Sequence, residues 1–324
     1  MSTREHINEY FNSKSFMVLC ALALVTTAVV ARLWGITPPA DDSLGIFFKF
    51  NGPLINHATL SWVVNLLCLL VTGGILIAIN KVFAFVRSVT HLFVSAFFLL
   101  QIANPSGLVA FNAGTLLCLL VALTLLPLFA AYQDRHSQRR IFLIFALATT
   151  GCLFHYGFLI LIPAFLLGFL YMGALNLKGV LAMFFGLVTP LWIVLGLGIA
   201  SPSNAVLPQW TILGLPALTP ITVLVAITAV LGIVLALMNL HTIINYRMQT
   251  RVYNAFFIIM LVFTVIALCL NYRQLTVFLP LLNLMVAIQV AHFHTLRTFP
   301  FRYIFLLLFI AGCAGFCAIN LLMP

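Results

Sequence analysis

Long apolar runs alternate with short polar stretches along the whole chain, each run closed by charges, by Asn or by Pro-Ser-Gly. Eleven of them read as membrane helices: 15–35, 58–80, 86–103, 107–131, 141–154, 157–175, 179–200, 216–238, 253–270, 274–292 and 303–322. One crossing of the hydrocarbon core takes about 20 residues at roughly 1.5 Å each. The third run is short and opens with Arg87 and His91. Residues 141–175 are too long for one crossing and are interrupted by Gly151, His155-Tyr156-Gly157 and Pro163, so two short helices turning at His155 to Gly157 fit better. Residues 1–14 are a polar lead, and the first apolar run lacks a small-residue cleavage site, so it reads as a retained helix. The expected architecture is all-α: a polytopic integral membrane protein, a single helical domain over 15–324 with two long external loops at 36–57 and 201–215. Those loops are amphipathic and contain Pro, and are expected along the membrane surface. No internal repeat is visible.

Charge tests this topology independently, because Lys and Arg collect in cytoplasmic loops. A cytoplasmic N-terminus puts Arg4, Lys14, Lys81, Arg87, Arg135, Arg139, Arg140, Lys178, Arg247, Arg251, Arg297 and Arg302 inside, 12 of the 15 cations, and leaves Arg32, Lys49 and Arg273 outside. Fusing 141–175 into one helix would invert everything after it and leave 7 inside and 8 outside. The eleven-helix reading is preferred, with an extracytoplasmic C-terminus. Composition agrees: 64% of residues are hydrophobic and 6% charged, with a mean hydropathy of +1.21, too little polar surface for a water-soluble fold. The net charge of +10 is scattered between apolar runs without a basic stripe, which excludes nucleic acid as a partner. All seven Cys sit in apolar runs, so neither disulfides nor zinc is expected, and Met17-Val18-Leu19 before Cys20 is no lipidation signal.

Chemistry has few places to reside. Of five acidic residues, Glu5, Glu9 and Asp134 fall in cytoplasmic segments, and only Asp41-Asp42 lies outside. Neighbouring carboxylates on a surface loop can serve as a general base or hold a divalent cation. No HxxxD, DxD or ExxH accompanies them, so no metal is expected, and nothing in the chain implies a cofactor. The competing reading is a Pro-Pro-Ala-Asp-Asp-Ser turn capping a short helix at 43–50, with Asp42 or Ser43 as N-cap. Arg32, Lys49 and Arg273 depart from the positive-inside bias; each can hold a phosphate or else snorkel to lipid headgroups. His57 and His155, at helix ends, complete a candidate substrate-binding set of Arg32, Lys49, His57, His155 and Arg273. GxSxG is absent, which argues against serine hydrolysis, and no intramembrane Asp, Glu or Lys marks an ion path. Ser61 with Asn65, His91 with Ser95 and Asn112 with Thr115 share helix faces and read as interhelical glue, and Ala311 with Gly315 as a close-packing face. The turn from Asp134 to Arg140 fixes topology and can meet anionic lipid.

Two resemblances follow. A first helix, an external loop with an acidic pair, then Arg139-Arg140 and the run from Ile141 to Trp192 resemble, over roughly 15–200, the core of polytopic glycosyltransferases that use polyprenyl-phosphate sugars. That resemblance implies a catalytic carboxylate in the first loop, mapping onto Asp41 or Asp42, and a polyprenyl-phosphate-linked substrate. The whole chain also resembles a family of multi-pass inner-membrane proteins from Bacteroidota with no assigned activity. Asn104-Pro105, GCLFHYGFLILIPAF, Gly186, Pro190 and LPLLNLMVAIQVAHFHTLRTFPFR carry that likeness, which implies a bacterial inner-membrane location. The leading functional expectation is a transferase acting on a lipid-linked sugar in cell-envelope assembly. A non-catalytic scaffold binding membrane-protein partners is the alternative, and passive transport of a lipid or small molecule the third. All three take the lipid bilayer as solvent.

Overall fold

The computed structural model describes residues 3–38, 45–48, 50, 57–86, 90–206, 219–271, 274–296 and 302–322. Among them there are helices and no strand. In chain order the helices are α1 (Thr3–Asn12), α2 (Lys14–Leu33), α3 (Ala58–Phe83), α4 (Leu92–Ile102), α5 (Ala113–Ala130), α6 (Gln138–Phe154), α7 (Leu161–Tyr171), α8 (Leu177–Gly196), α9 (Pro220–Ile243), α10 (Met248–Leu270), α11 (Leu275–Leu296) and α12 (Arg302–Leu322). Eight of them, α2, α3, α5 and α8 to α12, are long and apolar enough to cross a membrane. Each of the eleven apolar runs contains a helix, but α4 and α7 have 11 residues and α6 has 17. At 1.5 Å per residue none of these three reaches across a hydrocarbon core of about 30 Å alone. The polar lead is itself a helix, α1.

Helix starts follow from side chains that accept from backbone N–H groups otherwise left without a partner. Ser13 Oγ accepts from Phe16 N at 3.2 Å, Asn112 Oδ1 from Thr115 N at 2.8 Å and Asn176 Oδ1 from Gly179 N at 2.7 Å. Thr219 and Thr222 cap α9 reciprocally, ahead of Pro220 at the first position, where a missing N–H costs nothing.

The axis of the bundle is α11, which packs against α4, α5, α9 and α10. Its side chains from Val277 to Ala291 are almost all buried. Outside this set, α2 lies on α4, α3 on α5, α7 on α10 and α12 on α4 and α9, while α8 pairs with α6 at the periphery. The outer faces of α8 and α12 carry Phe184, Phe185, Trp192, Leu307 and Leu308 exposed, as expected where lipid is the solvent. Ala311 and Gly315 belong to such an exposed face, and no atom lies within 4 Å of where a Cβ on Gly315 would sit. Among the described residues the close packing expected of them is therefore absent; Leu306, Cys313 and Asn320 face inward instead.

A short helix ending inside a bundle exposes carbonyls that have neither water nor a next turn to bond. At the end of α4 two amide side chains solve this. Asn283 Nδ2 of α11 donates to Leu100 O at 3.2 Å, and Asn320 Nδ2 of α12 donates to Ala103 O at 2.8 Å. The chain then turns through a 3-10 segment, Pro105–Leu108. Replacing Asn320 with Leu leaves the Ala103 carbonyl unpaired; a loss of about 1 kcal/mol is expected, read as a lower melting midpoint in detergent.

The break predicted within 141–175 is present. Helix α6 stops at Phe154, His155 takes an extended conformation, and a 3-10 turn over Tyr156–Ile160 leads into α7. The orphan carbonyls of α6 are met by the segment between α2 and α3: Ile46 N donates to Cys152 O at 3.1 Å, and Phe47 N and Phe48 N donate to Leu153 O at 3.3 and 3.1 Å. Because these N–H groups bond across to α6, residues 45–48 form a bend. The short helix expected over 43–50 is thus not formed at those positions.

Candidate functional site

The bundle has two chemically different ends. One carries Arg32, Phe111, Phe154 and Val206; the other carries α1, Arg140 and Arg247. At the Arg32 end the described residues between α2 and α3 reach both α6 and the turn before α5. Phe48 stacks on Phe154 with ring centroids 5.3 Å apart, Phe50 meets Phe111 at 5.6 Å, and Val206 N from the segment after α8 donates to Ile46 O at 3.0 Å. Gly45 starts this stretch, and a Cβ there would lie 2.2 Å from Leu153 O, so only glycine permits the approach. Two residues beyond Phe154 begins a pocket of about 290 Å3, lined by Tyr156, Ile160, Pro163, Phe263, Leu270 and Phe278 among others. Apart from Tyr156 those six side chains are purely apolar, so the pocket suits a hydrocarbon chain.

The predicted site residues fall at this end in two separate places. Arg32 closes α2, donates from a guanidinium N–H to Thr59 Oγ1 at 2.8 Å and lies 5.1 Å above the Trp62 ring. Those contacts hold the guanidinium at the junction of α2 and α3. His57 is exposed at the N-cap of α3, beside an open recess that also includes Thr59, Leu60 and Val63. The structure thus brings Arg32 and His57 to one corner. His155 is elsewhere, fully buried where α6 gives way to the 3-10 turn. Its Nδ1 accepts from Gly157 N at 2.7 Å, which places the proton of the neutral ring on Nε2. Asp41, Asp42, Lys49 and Arg273 lie outside the described residues; in sequence the two Asp precede the anchored Gly45 by four and three positions.

Of the polar residues read as glue, Ser61, Asn65 and Thr115 do that work. Asn65 Nδ2 donates to Gly107 O at 3.0 Å while its Oδ1 accepts from Thr115 Oγ1 at 2.7 Å, and Ser61 Oγ accepts from Phe111 N at 2.9 Å. Together they tie the start of α3 to the turn before α5. At the opposite end, α1 is docked by Asn8, whose Oδ1 lies 3.3 Å from His294 Nε2, and by Asn12, which accepts from Thr90 Oγ1.

Sequence reasoning missed a second polar group, formed by Asn239 of α9, Asn254 of α10 and Gln289 and His292 of α11, each buried. The available signal was an isolated amide or imidazole within an apolar run, where a polar side chain is expensive. Spacing along one helix does not reveal it, because three helices contribute.

These features define a multi-pass α-helical membrane protein. Comparison with protein-family models, curated proteins and solved structures finds no match to the chain.

Proposed function

We propose that this protein is a transferase of the bacterial inner membrane that acts on a lipid-linked sugar at its extracytoplasmic face, with the N-terminus in the cytoplasm. In this reading the Arg32 end faces outward. Asp41 or Asp42 serves as the general base, accepting a proton from the acceptor hydroxyl as the glycosidic bond forms. Arg32, Lys49 and Arg273 steady the phosphate of the departing polyprenyl carrier, a charge-assisted contact for which guanidinium geometry is suited. His57 borders the same corner, while His155 shapes the turn through its bond to Gly157.

One observation carries the proposal. The loop that bears the acidic pair is fastened at Gly45–Phe48 to the end of α6, next to an apolar pocket that can take part of an isoprenoid chain. The reading therefore places carboxylates and lipid binding in adjacent stretches of the fold. The test is the Asp41→Asn/Asp42→Asn double variant, expressed at the wild-type level in cells lacking the native protein. Loss of a general base costs about a hundredfold or more in rate, so depleted envelope glycan and accumulated lipid-linked sugar are expected. Envelope glycan and lipid-linked sugar at wild-type levels would overturn the proposal.

A further inference from the structure

The amides of α9, α10 and α11 form one hydrogen-bonded chain. Asn239 Nδ2 donates to Gln289 O at 2.8 Å and to Gln289 Oε1 at 2.9 Å, and Gln289 Nε2 donates to Asn254 Oδ1 at 3.3 Å. None of the three residues is more than 1% exposed. The chain leaves Asn239 Oδ1 and Asn254 Nδ2 without a hydrogen bond among the described residues. His292, one helical turn beyond Gln289 and 1% exposed, uses neither ring nitrogen among them. These four atoms, two on the amides and two on the imidazole one turn along α11, have no hydrogen bond among the described residues, and helix association does not explain them, since apolar side chains would serve it without the desolvation cost.

The surroundings give this seam a direction. Two turns from Asn239 on α9 stands Gly232, where a Cβ would meet Val286 Cγ2 at 2.7 Å and a Leu261 methyl at 3.2 Å. Three helices touch there through apolar atoms, so the seam is closed towards the middle of the bundle. In the other direction Thr242 lies one turn beyond Asn239, and Thr250 one turn before Asn254. Both line an open recess of about 700 Å3 together with Asn245 and Arg247. Polar groups thus run from the recess to the amides and stop at an apolar seal.

From this arrangement we propose that Asn239, Asn254, Gln289 and His292 form a blind hydration site fed from the Arg247 end of the bundle. Asn239 Oδ1 accepts, Asn254 Nδ2 donates, and a neutral imidazole does one at each nitrogen. No carboxylate, Lys or Arg is among these four residues, so the set fits a neutral molecule that both donates and accepts, and water is the smallest such molecule. The seal at Gly232 makes the site a terminus and not a passage. Water there completes the bonds of a polar core that would otherwise be underfilled.

Radiolytic hydroxyl labelling of the unmodified protein in detergent tests this, since radicals form where water is held. His292 is expected to be oxidised several-fold faster than Met285, which is equally buried on the same helix and intrinsically the more reactive side chain. Labelling of His292 no faster than that of Met285 would overturn the hydration site. Entry is tested by adding 18O water before the pulse. A Thr250→Trp variant is expected to lengthen several-fold the time bulk isotope takes to reach the His292 label, and an unchanged time would refute the route through the recess.

Discussion

Phe129→Ala is expected to destabilise the folded protein by about 3–5 kcal/mol, the range for removing a fully enclosed ring whose site cannot collapse. Phe129 is 1% exposed and stacks on Tyr253 with centroids 4.2 Å apart. Phe83, Phe85, Phe256 and Phe257 also surround it, with centroids between 5.6 and 6.3 Å away. In lipid, helix association rests on close contact and hydrogen bonds more than on release of water, so an emptied ring site loses its stabilisation directly. The loss should appear as a strongly lowered melting midpoint in detergent, with Phe129→Leu retaining most of the stability. A melting point unchanged in Phe129→Ala would mean the cluster does not hold α3, α5 and α10 together.

Gly114→Ala should also damage the fold severely although it adds a single methyl. A Cβ on Gly114 would lie 2.3 Å from Val277 O and 2.9 Å from Val277 C, both backbone atoms of α11. Side chains can turn aside; this backbone cannot, because α11 is gripped by α4, α5, α9 and α10 at once. Overpacking costs about 1–3 kcal/mol, and the upper end is expected here. Gly74→Ala is the control: nothing lies within 4 Å of its Cβ position, and better helix propensity should make it neutral or stabilising by up to about 1 kcal/mol. Equal melting shifts in the two variants would refute the close approach of α5 to α11.

Much of this fold is legible in the sequence, for identifiable reasons. The eight long helices were legible because hydropathy over 18 or more residues reports the solvent directly. The break at His155 is readable from length, from the interrupting Gly151, His155-Tyr156-Gly157 and Pro163, and from the cation count. Helix ends were read less well: α9 runs to Ile243 and α10 starts at Met248, beyond the apolar limits of 238 and 253. His241 and Arg251 remain helical there because hydropathy marks where lipid ends, while the helix ends where its hydrogen bonds do. Helix α1 was not legible because its polar sequence is held by tertiary bonds from Asn8 and Asn12. A short helix over 43–50 is one of two readings the sequence allows, and the bend at 45–48 is hidden from it because its N–H partners, Cys152 and Leu153, lie about a hundred residues away. Of the candidate site, Arg32 and His57 stand out singly, by charge and by position at a helix end; that they share a corner comes only from the fold. The amide seam was not, since the rotation of each helix decides which way a solitary Asn points.

Helix α11 also carries a consequence for synthesis. It is the least apolar of the eight long helices, holding Asn283, Gln289, His292 and His294, yet it forms the axis. A ribosome delivers α4, α5, α9 and α10 before it. Until residue 296 emerges, those four have no common surface to close upon, and α11 itself is poorly suited to lipid alone. Insertion and assembly of this membrane protein must therefore converge late, with the earlier helices waiting loosely associated for the one that locks them.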